Sequence, residues 1–498
     1  MSLKANAIHG VKWTALSVFI STLAQVLQMT VMAHYLTPSD FGLMAITMIV
    51  IGFSQAFMDM GISSAIIHKQ EITHIQLSSL YWLNVASGIV LYGVIIVAAP
   101  IMAQIYHEPK LIELIILMGF SFVVVAVGNQ YRIIYQKDLR FNLIAKIEII
   151  SVTTSTALAI CLAVMNYGVY ALVWGALLNA ALSTVILLIT GLKKYRPKFI
   201  YNHNEISSFY SFGLFQMGEK SINYLSANVD KIFIGHFLGM EALGFYNLAW
   251  QLIIFPLSKI NPLVNRVAFP IYAKIQDDIF KLGYFYTFSL KSLSLLIIPL
   301  SIFLFFYSDQ VVYMIYGPNW KTTADIVKIL TFVGLLKALS NPAGSIILAL
   351  GRADVGFWWN LFWAIFVSTV LFVVLFIYSD IMKTTYSLLA SSLVAFIVFN
   401  KIIAVISKIQ YKAIYQYFVK TICVALAIGY VSVKLIYSSY SLSLIGGVHM
   451  KLGAFFKADT IDNAVVLIFA SVFCALMHVM YVSKFEAELI TAVKNKGG

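Results

Sequence analysis

Four ionisable residues lie inside one apolar stretch near the middle of the chain. The stretch covers residues 209–239 and is long enough to cross a bilayer, yet it contains Glu219, Lys220, Asp230 and Lys231. A charged side chain at the centre of a spanning helix costs about 2.5–3.5 kcal/mol on insertion scales, and such residues usually face a cavity or a partner. The stretch therefore predicts a helix with one polar side inside the membrane.

Helical spacing indicates which side is polar. The polar residues recur at intervals of three or four positions, which places them on one stripe of a helix: Glu219, Asn223, Ser226 and Asp230. Lys220 and Lys231 repeat that spacing one position further round. A polar path or binding site in the membrane is one interpretation of this stripe. A buried network that only ties helices together is the other.

Composition favours a protein that crosses the membrane many times. The chain has 498 residues, of which 61% are hydrophobic and 11% charged, and its mean hydropathy is +0.88. Soluble domains are only about half apolar. The first apolar run is long enough to span, so we expect it to be retained as a helix and not removed as a signal peptide. Cys161, Cys423 and Cys474 are far apart, and neither they nor the histidines have metal-ligand spacing, so no cofactor is expected.

Apolar runs of spanning length recur along the whole chain. They lie near 11–35, 41–67, 79–105, 111–136, 143–165, 168–192, 209–238, 242–266, 283–307, 323–350, 355–378, 383–406, 414–437 and 463–483. The predicted fold is an all-α polytopic membrane protein of about fourteen transmembrane helices. The predicted domains are a lobe at 1–197, a basic interfacial linker at 198–208, a second lobe at 209–408, and two extra helices with a tail at 409–498.

Charge placement predicts the orientation. The net charge is +13, and with the N-terminus in the cytoplasm most lysines and arginines fall in the inner segments. This bias is what the positive-inside rule predicts for an even number of helices with both termini in the cytoplasm. A protein that binds nucleic acid would instead cluster its basic residues on one soluble face. We therefore expect no nucleic-acid partner.

A short internal repeat relates the two halves. His34 and Gly42 recur 202 residues later as His236 and Gly244, each within a similar local pattern. Six predicted spans fit in this interval, and an even number of crossings returns the chain in the same orientation. The repeat therefore predicts two parallel lobes with a cavity between them. Chance similarity between apolar segments is the alternative.

The repeat also pairs polar positions. The same offset aligns Ser21 with Asn223, Gln28 with Asp230, and Asp59 with Asn261. The first helix has its own polar stripe at spacings of three or four: Thr14, Ser17, Ser21, Gln25 and Gln28. Two related helices would thus present polar faces to one cleft.

Four segments carry a family resemblance. They are HYLTPSDFGLMAI from His34, IGHFLGMEALGFYNLAWQL from Ile234, YGPNWKTTADIVKIL from Tyr316 and ALGRADVGFWW from Ala349. In this order they resemble the polysaccharide transporter family of the multidrug/oligosaccharidyl-lipid/polysaccharide exporter superfamily, and most of all Wzx-type flippases of the colanic-acid or exopolysaccharide branch. The resemblance implies translocation of an undecaprenyl-diphosphate-linked oligosaccharide across the bacterial inner membrane by alternating access, driven by an ion gradient.

A lipid-linked sugar diphosphate needs cationic and polar groups in a hydrated cavity. The candidates for this cavity are Lys220, Lys231, Lys337, Asn223, Ser226, Ser21, Gln25, Gln28 and Arg266. The candidates for ion coupling, with H⁺ or Na⁺ as the ion, are Asp230, Glu219 and Asp59, and the resemblance favours the acidic residue of the seventh helix. Expected partners are the lipid-linked substrate, membrane lipids, and a polysaccharide polymerase with its chain-length machinery.

Two other classes compete with a flippase. A multidrug antiporter of the same superfamily usually has an apolar cleft with acidic sites, whereas this cleft would include lysines. A membrane glycosyl polymerase or ligase would be an enzyme with a large outer loop, and the longest predicted outer segment, 438–462, is short and poor in acids. A nucleotide-binding loop of the Walker type is absent from the sequence, so transport would be secondary.

Overall fold

A computed structural model of the chain describes residues 3–58, 66, 72–407, 415–416, 418–419, 421–427 and 429–430. This part of the chain is helical and contains no strand. The helices are α1 Leu3–Tyr35, α2 Pro38–Met58, α3 His74–Tyr106, α4 Lys110–Lys137, α5 Phe141–Val164, α6 Tyr170–Gly191, α7 His203–Lys274, α8 Ile279–Tyr316, α9 Lys321–Ala349, α10 Ala353–Tyr378 and α11 Ile381–Ser407, with a short 3₁₀ helix at Pro318–Trp320.

Ten helices among the described residues are long and apolar enough to cross a membrane. They confirm the prediction of an all-α protein that passes the membrane several times. The six predicted spans of the first half correspond in order to α1 through α6. The structure describes only part of the predicted span at 414–437 and none of the span at 463–483, so the count of fourteen stays a prediction.

Glycine allows α7 to change direction. Gly239 has φ 81° and ψ 179°, a conformation that residues with a Cβ atom avoid, and it separates two helical arms. These arms correspond to the predicted spans at 209–238 and 242–266. The first arm begins at His203, inside the segment that the sequence predicts as a linker.

The chain divides into two compact units, Met1–Gly244 and Phe245–Gly498, so the boundary falls just after the bend in α7. In the first unit α1 packs on α5, α3 packs on α4, and α6 packs on both α4 and α5. In the second unit α9 packs on α8 and α11, and α11 packs on α10.

Hydrogen bonds pin the segment between α6 and α7 against the start of α3. The Ser78 hydroxyl lies 2.9 Å from the hydroxyl of Tyr195 and accepts from the backbone N–H of Lys198 at 3.1 Å. The Trp82 indole N–H donates to the carbonyl of Lys198 at 2.9 Å, and the backbone N–H of Asn202 donates to a neighbouring serine of α3 at 3.0 Å. Burial raises the pKa of the Tyr195 hydroxyl. The basic segment is therefore packed onto α3.

Two backbone segments cross closely within the first unit. A Cβ atom added to Gly42 in α2 would overlap the carbonyl oxygen of Met240. A Cβ atom added to Gly244 in α7 would overlap the carbonyl oxygen of Pro38. Since an offset of 202 residues converts Gly42 to Gly244 and Pro38 to Met240, the two contacts are equivalent under that offset. We call the pair formed by 38–42 and 240–244 the glycine crossing.

The turn between α8 and α9 organises the second unit. Gly317 ends α8 with φ 94°, and the following 3₁₀ helix places Trp320 in the interior with 1% of its surface exposed. The Tyr316 hydroxyl donates to the carbonyl of Leu248, and the Thr323 hydroxyl donates to the carbonyl of Phe245 at 3.2 Å. The turn therefore fastens the start of the second arm of α7.

Candidate functional site

The polar stripe on α7 is divided between buried and exposed positions. Asp230 is buried, with 6% of its surface exposed. Lys220 and Asn223 are exposed, while Ser226 and Lys231 are half-buried. A carboxylate held in the interior and an exposed amide and ammonium on the same helix have different surroundings. The stripe therefore provides a buried acidic position and more accessible cationic and polar positions.

Helices α2 and α3 hold this arm of α7. Tyr224 donates its hydroxyl to the carbonyl of Met48 in α2 at 3.0 Å. Nearer the bend, Tyr106 of α3 donates its hydroxyl to the carbonyl of Ile232 at 3.4 Å. These two bonds fix the rotation of the arm about its own axis, because they anchor one face at two levels. Because the arm has this rotation, Asp230 faces the interior.

The polar stripe on α1 is partly used by α5. The Ser17 hydroxyl donates to Glu148 Oε2 at 2.8 Å, and the Thr156 hydroxyl donates to Gln28 Oε1 at 3.4 Å. Between these two positions of the stripe, Ser21 is half-buried and Gln25 is exposed. Part of this stripe therefore ties α1 to α5, and part of it is accessible.

The remaining predicted residues are placed as follows. Lys337 of α9 is exposed, and its Nζ lies 4.5 Å from the centre of the Trp250 ring, which is cation–π geometry. Glu219 and Arg266 lie within α7, but their side chains lie outside the described part of the structure. Asp59 also lies outside the described residues.

Sequence reasoning missed two clusters of charge. Arg132 of α4 bonds Glu148 of α5 at 2.5 Å. In the second unit, Lys328 lies between Asp309 at 2.9 Å and Asp325 at 3.1 Å. The signal was present in both cases, since the rule that singled out α7 applies equally to a charge inside any other apolar run.

Within the described residues, no group of three or more histidine, cysteine, aspartate or glutamate side chains could hold a metal ion. Cys161 and Cys423 are free thiols on exposed positions, and Cys474 lies outside the described residues.

Comparison with known proteins shows the family. A family model described as "Polysaccharide biosynthesis protein" matches residues 31–325, which is more than half of the chain. The chain belongs to this family. Among the relatives of this polysaccharide biosynthesis protein, the teichuronic acid biosynthesis protein TuaB of Bacillus subtilis (strain 168) is 33% identical over 434 residues, covering 86% of this chain and 89% of TuaB.

A second relative and a solved structure agree with this family. The lipopolysaccharide biosynthesis protein WzxC of Escherichia coli (strain K12) is 33% identical over 362 residues, covering 73% of this chain and 74% of WzxC. The fold is similar to that of the lipid II flippase MurJ in an inward closed conformation, with a TM-score of 0.70, 14% identity, and coverage of 96% of this chain and 99% of MurJ. At that identity the likeness concerns the fold.

The placement of α7 predicts a labelling pattern. In a variant whose three native cysteines are replaced by serine, Asn223→Cys should react with a hydrophilic maleimide added to open membranes, because Asn223 is exposed on the polar stripe. Ser221→Cys, two positions away, is the matched control, because Ser221 has only 7% of its surface exposed and should stay unlabelled. Equal protection of the two cysteines would contradict a hydrated stripe.

Proposed function

We propose that this polysaccharide biosynthesis protein is a secondary transporter, a flippase that moves an undecaprenyl-diphosphate-linked oligosaccharide repeat unit from the inner to the outer leaflet of the bacterial inner membrane. The transported unit supplies surface polysaccharide such as O-antigen, colanic acid or another exopolysaccharide. The protein acts as a carrier, by alternating access, and performs no covalent chemistry.

The observation that carries this proposal is extended similarity to two biosynthesis proteins for different polymers. TuaB and WzxC are named for teichuronic acid and for lipopolysaccharide, and each is 33% identical to the chain. A protein shared between such different products is best explained by a step that does not depend on one sugar. Movement of a lipid-linked intermediate is such a step, and the array of apolar helices suits it.

The architecture that we propose has two six-helix lobes, two further helices and both termini in the cytoplasm. The glycine crossing supports the internal repeat. Each of its two contacts joins a glycine to a backbone carbonyl oxygen, and the offset of 202 residues relates one contact to the other. A pair of equivalent contacts is the expected geometry where two parallel repeats meet around a two-fold axis. The domain boundaries at 197, 208 and 408 stay part of this proposal.

Within this framework Asp230 couples transport to H⁺ or Na⁺. A coupling carboxylate must be shielded from bulk water in part of the cycle, and the burial of Asp230 supports this role. Lys220, Lys231 and Lys337 provide positive charge for the diphosphate. The polymerase and the chain-length machinery that consume the repeat unit are the proposed protein partners.

A deletion strain tests the function. Loss of the gene should abolish surface polysaccharide and cause undecaprenyl-diphosphate-linked repeat units to accumulate in the membrane, and the wild-type chain should restore both. The control is a strain with a catalytically inactive glycosyltransferase, because it makes no repeat unit. Normal surface polysaccharide together with increased sensitivity to cationic drugs would overturn the proposal in favour of a multidrug antiporter.

A further inference from the structure

A charged cluster joins three helices of the first unit. Arg132 of α4 donates from Nη2 to Glu148 Oε1 at 2.5 Å, and Ser17 of α1 donates to Glu148 Oε2 at 2.8 Å. Both oxygens of the carboxylate are therefore engaged. Ser17 is buried, with 1% of its surface exposed, whereas the side chains of Arg132 and Glu148 are 44% and 35% exposed.

A second cation lies close to this cluster. The Nζ of Lys146 on α5 is 5.1 Å from the centre of the Trp13 ring on α1. Trp13 precedes Ser17 by four residues, so this contact lies about one helical turn, roughly 5–6 Å, closer to the start of α1. Two cations and one carboxylate thus lie within about one turn of each other along α1, and their formal sum is one positive charge.

The depth of the cluster distinguishes it from an ordinary surface ion pair. Arg132 lies five residues before the end of α4, or about 7–8 Å along its axis at 1.5 Å per residue. Glu148 lies seven residues after the start of α5, or about 10–11 Å. The proposed topology puts these helix ends at the cytoplasmic face, where a lipid-linked substrate is loaded. We therefore expect these half-exposed charges to be accessible from that side.

Arginine at such a position is suited to a diphosphate. Its guanidinium has five N–H donors in a planar fork that matches phosphate oxygens in pairs. Among the described residues the hydrogen bond of Arg132 is to Glu148, and one Nη donates it. The remaining donors of a half-exposed fork can therefore receive an anion.

We propose that Arg132 is a binding residue for the diphosphate of the lipid-linked substrate, and that Glu148 is an internal competitor which the diphosphate displaces. The proposal rests on the flippase function proposed above. In the empty protein Ser17 orients Glu148 toward Arg132, and this bond compensates two charges that would otherwise lie unpaired inside apolar helices. When the substrate binds, its more negative diphosphate replaces Glu148 as the partner of the guanidinium, and Lys146 adds a second attraction.

The carboxylate also explains how the anion is released. A transporter must bind its substrate on one side and release it on the other, so the site must not hold the diphosphate too tightly. Glu148 weakens binding because its bond to Arg132 re-forms as the diphosphate leaves. Removing the charge of Glu148 should therefore strengthen binding and slow turnover, a combination that loss of structure does not produce.

Binding of a prenyl diphosphate tests this assignment. The full chain in phosphatidylcholine nanodiscs is titrated with farnesyl diphosphate, and affinity is measured by calorimetry. Arg132→Ala should weaken binding at least about tenfold, which corresponds to about 1.4 kcal/mol. Glu148→Gln should tighten binding several-fold and lower export in cells. Inorganic diphosphate, titrated in parallel, should bind more weakly than the prenyl compound, since it lacks the lipid chain.

Matched controls come from the second unit. Arg352 donates to Asp354 at 3.0 Å in an exposed pair at the start of α10. Arg352→Ala and Asp354→Asn should leave the affinity for farnesyl diphosphate unchanged. Equal affinity of the wild type, Arg132→Ala and Glu148→Gln would overturn the site while the flippase function stands. Failure of the wild-type chain to support export would instead contradict the proposed function.

Discussion

Alanine at Gly42 or Gly244 is expected to abolish export of surface polysaccharide. In each case the new methyl group would overlap a backbone carbonyl oxygen across the glycine crossing, that of Met240 or of Pro38. A backbone atom cannot move aside as the end of a side chain can, so one helix must shift. Overpacking of this kind typically costs about 1–3 kcal/mol and sometimes more. The measurement is restoration of polysaccharide in the deletion strain, with membrane abundance followed by immunoblot.

Gly93→Ala and Gly344→Ala are the matched controls for the crossing. Both glycines lie inside helices, α3 and α9, and apart from the adjoining backbone no heavy atom lies within 4 Å of the position that a Cβ atom would take. These changes should be neutral or stabilising, because alanine is favoured over glycine in a helix by about 0.5–1 kcal/mol. Normal export by Gly42→Ala and Gly244→Ala would contradict the close crossing.

Asp230→Asn is expected to reduce gradient-driven export to background while leaving the protein in the membrane. Asparagine keeps the shape of the side chain and loses its negative charge, so a cation can no longer bind and leave. Because Asp230 is buried, ions reach the carboxylate only when a conformational change opens a path to it. The measurement is export in the deletion strain with and without an agent that collapses the proton or sodium gradient.

Glu241→Gln is the control for this substitution. Glu241 is an exposed carboxylate at the start of the second arm of the same helix, and its neutral variant should export normally and stay sensitive to collapse of the gradient. A purely structural role of Asp230 would appear as a loss of protein from the membrane. Wild-type export by Asp230→Asn, still dependent on the gradient, would contradict the coupling role.

Much of the fold follows from the sequence because apolar length is a strong signal. The six runs of the first half match α1 to α6, since a helix that must bury its backbone polar groups extends over the whole apolar segment. The attachment of the basic segment to α3 was not predictable. It depends on Ser78 and Trp82, whose hydrogen bonds to residues about 120 positions away have no local pattern.

The candidate site shows a different limit. Spacing correctly places Asn223 and Asp230 on one helix. Periodicity does not tell how that helix is rotated relative to its neighbours, so it does not predict that Asp230 is buried and Asn223 exposed. Likewise Gln28 was predicted to line a cavity, and in the structure it accepts a hydrogen bond from Thr156. Charge counting predicts only the orientation of the chain, so it does not reveal that Arg132 has a partner on another helix.

Reconstituted transport tests the flippase proposal most directly. The purified chain is placed in liposomes that carry an undecaprenyl-diphosphate-linked oligosaccharide, and an ion gradient is applied. A membrane-impermeant glycosidase then measures how much glycan lies on the outer surface. We expect this fraction to rise with the gradient for the wild-type chain and not for Asp230→Asn. A wild-type fraction equal to that of protein-free liposomes, with the protein folded and inserted, would contradict the flippase proposal.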